Sequence, residues 1–118
     1  MSSTYLGSSA ATAYLPQSVR QRPNLAILIE TRCTRVIMSP SAEKLICTGA
    51  EFAKTADGPR TVINANKDVI LCSGAIGTPQ ILMCSGIGPK EVLENAGVAV
   101  TLAQEHVGRN MLDVRNDV

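Results

Sequence analysis

Apolar and polar positions alternate along this chain in blocks that switch between strand and helix grammar. Residues 1–7 are small and polar and read as loose. Ser8 to Arg20 is alanine-rich and predicts a short helix broken near Pro16, and Arg22-Pro23-Asn24 punctuates the chain. The run Leu25-Ala26-Ile27-Leu28-Ile29 has the length and composition of a buried strand. Cys33 to Met38 predicts a second strand and Lys44 to Lys54 a third, with a turn at Pro40-Ser41-Ala42. Asp57-Gly58-Pro59 is a turn signal, and Thr61-Val62-Ile63 after it completes a hairpin. Val69-Ile70-Leu71-Cys72 is apolar on both faces, which predicts a fully buried, parallel strand.

After that strand comes a small-residue turn, Ser73-Gly74-Ala75-Ile76-Gly77. Thr78-Pro79 predicts a helix start, since threonine can cap free N–H groups and proline suits the first helical position. The helix body runs to Cys84 and ends at Ser85-Gly86. A second helix is predicted from Gly88-Pro89 to Ala96, with Glu91 favourable to its dipole and Gly97 closing it in the left-handed conformation. Val98 to Val100 predicts a last short strand, and a polar tail runs from Val107 to Asp113. The fold class is mixed α/β.

A length of 118 residues fits one domain or less, and 45% hydrophobic residues exclude disorder over the whole chain. With a formal net charge of +1 and no basic patch in the sequence, nothing points to nucleic acid or an anionic membrane. The absence of tryptophan and the single phenylalanine argue against an aromatic stacking platform. Cys33, Cys47, Cys72 and Cys84 form no C-x-x-C pair and sit among apolar neighbours, so four buried, reduced thiols are expected. The only histidine, His106, is too little for a zinc site and reads as a solvated surface residue. The N-terminus has no basic, apolar signal pattern, and no stretch has the length of a membrane span.

A buried strand, a glycine turn and a helix start together make a place where a nucleotide can approach backbone N–H groups. The same unit also serves in many α/β proteins merely to pack a strand on a helix. The turn here is not G-x-G-x-x-G, so it is not the diphosphate cradle.

The stretch from Gly74 to Gly88 carries further detail. Gly74-Ala75, then Thr78-Pro79, then Ile81-Leu82, then Ser85-Gly86-Ile87-Gly88 resembles the second signature of the glucose–methanol–choline oxidoreductases at every constrained position. Ser8-Ser9-Ala10, Ala13-Tyr14-Leu15 and Arg22-Pro23-Asn24-Leu25 are similar to the family's entry into this region. Val107-Gly108-Arg109-Asn110 with Asp113 is similar to the stretch just downstream. Val114 departs from the family, which tends to have histidine there, so residues 114–118 are expected to leave the family pattern. The finer likeness is to the aryl-alcohol oxidase-like branch.

The resemblance implies a partial N-terminal FAD-binding domain over residues 1–118, Rossmann-like, with a small flanking sheet. Its whole protein would oxidise a small alcohol by hydride transfer to FAD. The family's adenine-contacting backbone position falls on Cys33, and its small-residue turn beside the adenosine falls on Ser73, Gly74 and Ala75. Pro79, Ser85 and Gly86 are expected to start and stop the helix. The family's G-x-G-x-x-G and catalytic histidine have no counterpart in this sequence, so no catalytic residue is assigned. The alternative is a non-catalytic remnant that binds nucleotide weakly or not at all.

Overall fold

The computed structural model describes residues 10–41 and 44–112. The expectations for residues 1–7, for Ser8 and Ser9, for Ala42 and for the tail from Asp113 onward lie outside them. The chain divides into two compact units, Met1–Glu30 and Thr31–Val118.

The first unit holds α1 (Ala10–Tyr14) and α2 (Gln17–Arg20). The break falls at Pro16, as the sequence predicts. Its backbone is extended (ψ 163°), and its carbonyl accepts the first N–H groups of α2, from Val19 at 2.9 Å and Arg20 at 3.1 Å. Arg22-Pro23-Asn24 is a turn closed by the Leu25 N–H on the Arg22 carbonyl, 3.1 Å. The strand expected at Leu25–Ile29 is not formed. Those residues are not in a strand, and all are exposed, Ile29 at 74%. An apolar run supplies strand propensity only, and a strand also needs a neighbour that extends its ladder.

The second unit is built on β1 (Arg32–Ser41), β2 (Lys44–Ala53) and β3 (Thr61–Asn64), in the order β1-β2-β3, all antiparallel. These match the strands the sequence predicts, with β1 running longer, through the expected turn at Pro40-Ser41. A β-bulge interrupts the β1–β2 register between Cys33 and Arg35, so Thr34 and Arg35 both stand near Glu51.

Helix α3 spans Gly74–Cys84 and so begins ahead of Thr78, with Pro79 inside it. The small-residue turn is therefore its first turn. Thr78 does take an unpaired backbone N–H, but that of Ser73 ahead of the helix (3.2 Å), so the hydroxyl closes the entry without marking the helix start. Val69–Cys72 is not a strand. Val69 and Leu71 point inward against the core while Ile70 is 81% exposed. The chain there keeps the two-residue alternation of a strand without a ladder partner.

At its far end α3 stops as the sequence predicts. Ser85 is the C-cap, and Gly86 follows with φ +78°, a left-handed conformation that suits glycine. The chain then forms β4 (Ile87–Gly88), α4 (Lys90–Asn95) and β5 (Leu102–Ala103), with β4 and β5 parallel. Glu91 lies in the first turn of α4. Gly97, φ +69°, closes that helix with Val98 N–H on the Leu93 carbonyl (2.9 Å) and Gly97 N–H on the Glu94 carbonyl (3.0 Å), a Schellman pair. The last strand lies beyond the predicted Val98–Val100. The Gly86 carbonyl accepts from Thr101 (2.8 Å) and Leu102 (3.0 Å), and the Gly88 carbonyl accepts from Gln104 (2.8 Å). Residues 98–100 are spent in leaving the helix cap.

The core is small: Val36 from β1, Ile81 from α3 and Ile87 from β4, with Met38, Val69, Leu71 and Leu82 partly buried around them. Leu93 is the most deeply buried side chain, 1% exposed, and its burial stabilises by about 2 kcal/mol. The sheet meets α3 through one hydroxyl. Ser85 Oγ accepts from the Val36 N–H at 2.8 Å and donates to the Ile81 carbonyl at 2.6 Å. Val36 stands opposite Ala50 of β2, but its N–H is given to Ser85 outside the ladder, and its side chain is buried. Replacing Ser85 with alanine leaves that N–H without its acceptor. The expected loss is about 1–3 kcal/mol of unfolding free energy, read from the shift in the urea midpoint.

Candidate functional site

An open cleft of about 1090 Å³ lies between the start of β1 and the face of α3. One wall is Thr31 to Arg35, with Glu51 and Arg60 behind it. The other wall is Ser73, Gly77, Gln80, Ile81 and Cys84. β1 is the outer strand of its sheet, and among the described residues no further strand pairs with its other edge. The cleft thus combines strand-edge backbone, an apolar patch and a ring of polar side chains, the usual makeup of a small-molecule site.

Glu51 organises the polar wall. It is 8% exposed, deep for a carboxylate. The bulge lets two residues of β1 serve it at once. Thr34 Oγ1 donates to Oε1 at 2.7 Å, and Arg35 donates to Oε2 through Nε (3.1 Å) and Nη2 (2.8 Å). Arg60 Nη1 stands further off, 3.9 Å from Oε1. The Thr34 hydrogen bond, then the Arg35 hydrogen bonds and charge, hold the Glu51 carboxyl below its usual range, against the opposing effect of burial. Glu51 is therefore charged at neutral pH and fully partnered.

Two of the sequence-predicted site residues meet in this cleft. Cys33 lines it from β1 and Ser73 from the entry of α3. Gly74 and Ala75 do not line it and are exposed on the first turn of the helix. Gly74 is glycine because its φ is +78°, and a Cβ there would meet open space. Gly77 takes their place on the cleft wall, where a Cβ would come within 2.9 Å of the Ser73 Cβ.

The cysteine expectation needs correcting. All four thiols are free, but none is fully buried: Cys33 and Cys47 are half-buried, and Cys72 and Cys84 are exposed. Cys72 follows the unpaired Val69–Leu71 segment, and Cys84 sits on the cleft wall at the last turn of α3. Burial, and then the nearby Glu51 charge, push the Cys33 thiol above its ordinary value, so it is a poor nucleophile at neutral pH. His106 is exposed, in the turn before Gly108. Among the described residues no three histidine, cysteine or acidic side chains gather as a metal site. Among them, too, no helix is long and apolar enough to cross a membrane.

The Glu51 clamp is what sequence reading missed. Its one local signal is a carboxylate within the otherwise small and apolar run Gly49-Ala50-Glu51-Phe52-Ala53. Its partners are identified only once the bulged register is known.

The GMC oxidoreductase family profile matches residues 6–114. Pyranose dehydrogenase from Agaricus campestris is 43% identical over 106 residues, covering 90% of this chain and 17% of that protein. Dehydrogenase str4 from Strobilurus tenacellus is 42% identical over 92 residues, 78% of this chain and 15% of the relative. Among solved structures, pyridoxine 4-oxidase from Mesorbium loti superposes with a TM-score of 0.70 at 35% identity, covering 80% of this chain and 17% of that one. The chain belongs to the GMC oxidoreductase family and corresponds to its N-terminal, FAD-binding region. It spans 15–17% of the length of these relatives.

The depressed Glu51 pKa sets a pH dependence with a definite sign. A carboxyl whose folded pKa lies below its unfolded one contributes stability that is present above the unfolded value and is lost as pH falls through the folded value. Glu51→Gln should lower the urea midpoint at pH 7. The gap from the parent should close as both are taken into the acid range below the ordinary glutamate pKa. A gap that stays constant with pH would show that the charge of Glu51 is not what the fold uses.

Proposed function

We propose that this chain, over residues 1–118, is a partial FAD-binding domain that carries the adenosine-side wall of the cofactor site. The protein it represents would be an oxidoreductase acting on CH–OH groups of small alcohols. The observation that carries this reading is the juxtaposition of the β1 edge at Cys33 with Ser73 across one cleft. These are family positions expected beside adenine and adenosine, far apart in sequence. FAD, when bound, supplies the acceptor for the hydride that leaves the alcohol carbon.

The residues present fit the adenosine end of that cofactor. The cleft is large enough for a nucleoside, and the β1 edge offers backbone groups to a planar base. Ile81 supplies apolar surface behind the base, and Gly77 leaves room beside Ser73. The role of Cys33 would rest on its backbone, since its thiol is half-buried and points to the Arg35 carbonyl (3.8 Å). Gly74 and Ala75 would act by their lack of bulk on the approach to the cleft, with nothing within 4 Å of where a Cβ on Gly74 would stand. No histidine lines the cleft, and its one carboxylate, Glu51, is taken up by Thr34 and Arg35, so the work assigned to the cleft is to bind and orient.

The finer placement in an aryl-alcohol oxidase-like branch rests on the signature segment alone. The named relatives include pyranose dehydrogenase and pyridoxine oxidase and do not single that branch out.

The test is a visible absorption spectrum of the purified chain after incubation with FAD and desalting. A retained flavin band is expected, and Cys33→Val should retain it equally because only the backbone is used. A chain with a folded circular dichroism spectrum and no retained band would reduce the flavin reading to ancestry, leaving the non-catalytic alternative.

A further inference from the structure

A second, smaller pocket opens where β1 begins and β2 ends, about 280 Å³ in volume. Its charged lining is Arg32, Lys54 and Arg60, joined by the hydroxyl-bearing Thr34 and Thr55, and among the described residues no carboxylate lines it. We propose that this pocket is a binding site for a phosphate group, free or as a monoester. The inference does not depend on flavin binding, and nothing in the cleft described above assigns it.

The case is one of charge left over. Glu51 is the acid in ion-pair range of Arg60, but its carboxylate is already occupied. Arg35 holds Oε2 with two hydrogen bonds and Thr34 holds Oε1, leaving Arg60 at 3.9 Å. The other Arg60 nitrogen, Nη2, donates to the Ala56 carbonyl at 3.0 Å, which fixes the guanidinium at the turn without neutralising it. Neither Arg32 nor Lys54 has an ion pair among the described residues. Three cations therefore face one recess with at most one long contact to an anion. Such a group repels itself unless a multiply charged anion enters. The donor chemistry selects phosphate over a carboxylate. The Arg32 guanidinium fork, the remaining N–H groups of Arg60, the Lys54 ammonium and the Thr55 hydroxyl can serve three or four oxygens of a tetrahedral dianion, more than a carboxylate presents.

The geometry also gives the bound group a direction. The pocket shares Arg32, Thr34, Ala56 and Arg60 with the larger cleft. A phosphate seated among the cations would leave its ester substituent room to extend along β1 into that cleft.

The experiment is a titration of the isotope-labelled 118-residue chain with inorganic phosphate, and separately with adenosine 5′-monophosphate, at ionic strength held constant with sodium chloride. The readouts are the arginine Nε–Hε signals and the backbone amides of Thr34 and Thr55. Saturable shifts at millimolar phosphate are expected. They should weaken by about tenfold or more in Arg32→Gln and Arg60→Gln, the loss of a charge-assisted hydrogen bond. Arg32→Lys, which keeps the charge without the fork, should retain part of the binding, and Arg109→Gln at an exposed pair elsewhere should change nothing. Tighter binding of the monophosphate, with shifts spreading to Cys33 and Ser73, identifies a nucleotide phosphate as the source. Equal affinity confined to the pocket identifies the free anion. Shifts reproduced by chloride alone, or unchanged in both glutamine variants, overturn the site. Failure to retain FAD would leave this result standing, and failure here would leave the flavin test untouched.

Discussion

A single serine hydroxyl holds the two walls of the cleft together. Ser85 Oγ accepts the Val36 N–H of β1 and donates to the Ile81 carbonyl of α3. One atom therefore satisfies the sheet edge and the helix end together. Without an acceptor there, an edge N–H beside a buried valine would lose its water and gain nothing in return. Ser85 also ends α3, and Gly86 after it turns the chain into β4, whose Ile87 completes the core with Val36 and Ile81. The helix face that lines the cleft, from Gly77 to Cys84, is thus positioned by an interaction at its last turn. This is why the Ser-Gly-Ile-Gly end of the signature carries as much structural meaning as its Thr-Pro beginning.

The bulge at Thr34 is the second constraint, and it is electrostatic. Replacing a buried ion pair with apolar residues is often neutral or better for stability, so the Glu51 clamp is weak evidence of a strong fold. Its effect is on register. Thr34 and Arg35 can both reach one carboxylate only if the extra residue sits at that point in β1. A slip of one residue would turn the side chains of β1 to the opposite face and strand the charge of Glu51. The carboxylate therefore selects one register, and that register sets which backbone groups of residues 31–35 border the cleft.

How much of this could be read from the sequence depended on where each element finds its partners. The β1–β2–β3 meander and α4 with its glycine cap use neighbours close in the chain, and local patterning was enough for them. Leu25–Ile29 and Val69–Cys72 read as strands by composition, yet neither is paired as one, since composition cannot supply a neighbour. Thr78-Pro79 looked like a helix start because both residues favour that position. The glycine–alanine turn ahead of them also tolerates helix, and Pro79 forfeits only one bond in its interior. Of the site residues, Cys33 and Ser73 face each other across the cleft, whereas Gly74 and Ala75 turned outward once α3 started earlier. Glu51 stayed hidden because its partners are fixed by a bulge, and a one-residue insertion in register leaves no mark in hydrophobic periodicity.

The same carboxylate also decides how charge is distributed around the cleft. Glu51 carries one negative charge, and four cations lie within the two connected pockets: Arg32, Arg35, Lys54 and Arg60. Arg35 takes the carboxylate because the bulge presents its fork at hydrogen-bonding distance, and charge-assisted bonds at that range dominate over a contact at 3.9 Å. If the register placed Arg60 closer than Arg35, the excess charge would sit on the β1 wall facing α3. As built, the excess charge includes Arg32 and Arg60, whose side chains are exposed. On the wall opposite Ile81 and Gly77, Arg35 and Glu51 neutralise each other. A ligand lying on the paired Arg35 would not have to desolvate a bare cation there, while Arg32 and Arg60 keep their charge for an anionic group. The backbone register of one strand thus decides which cation is paired and which keep their charge.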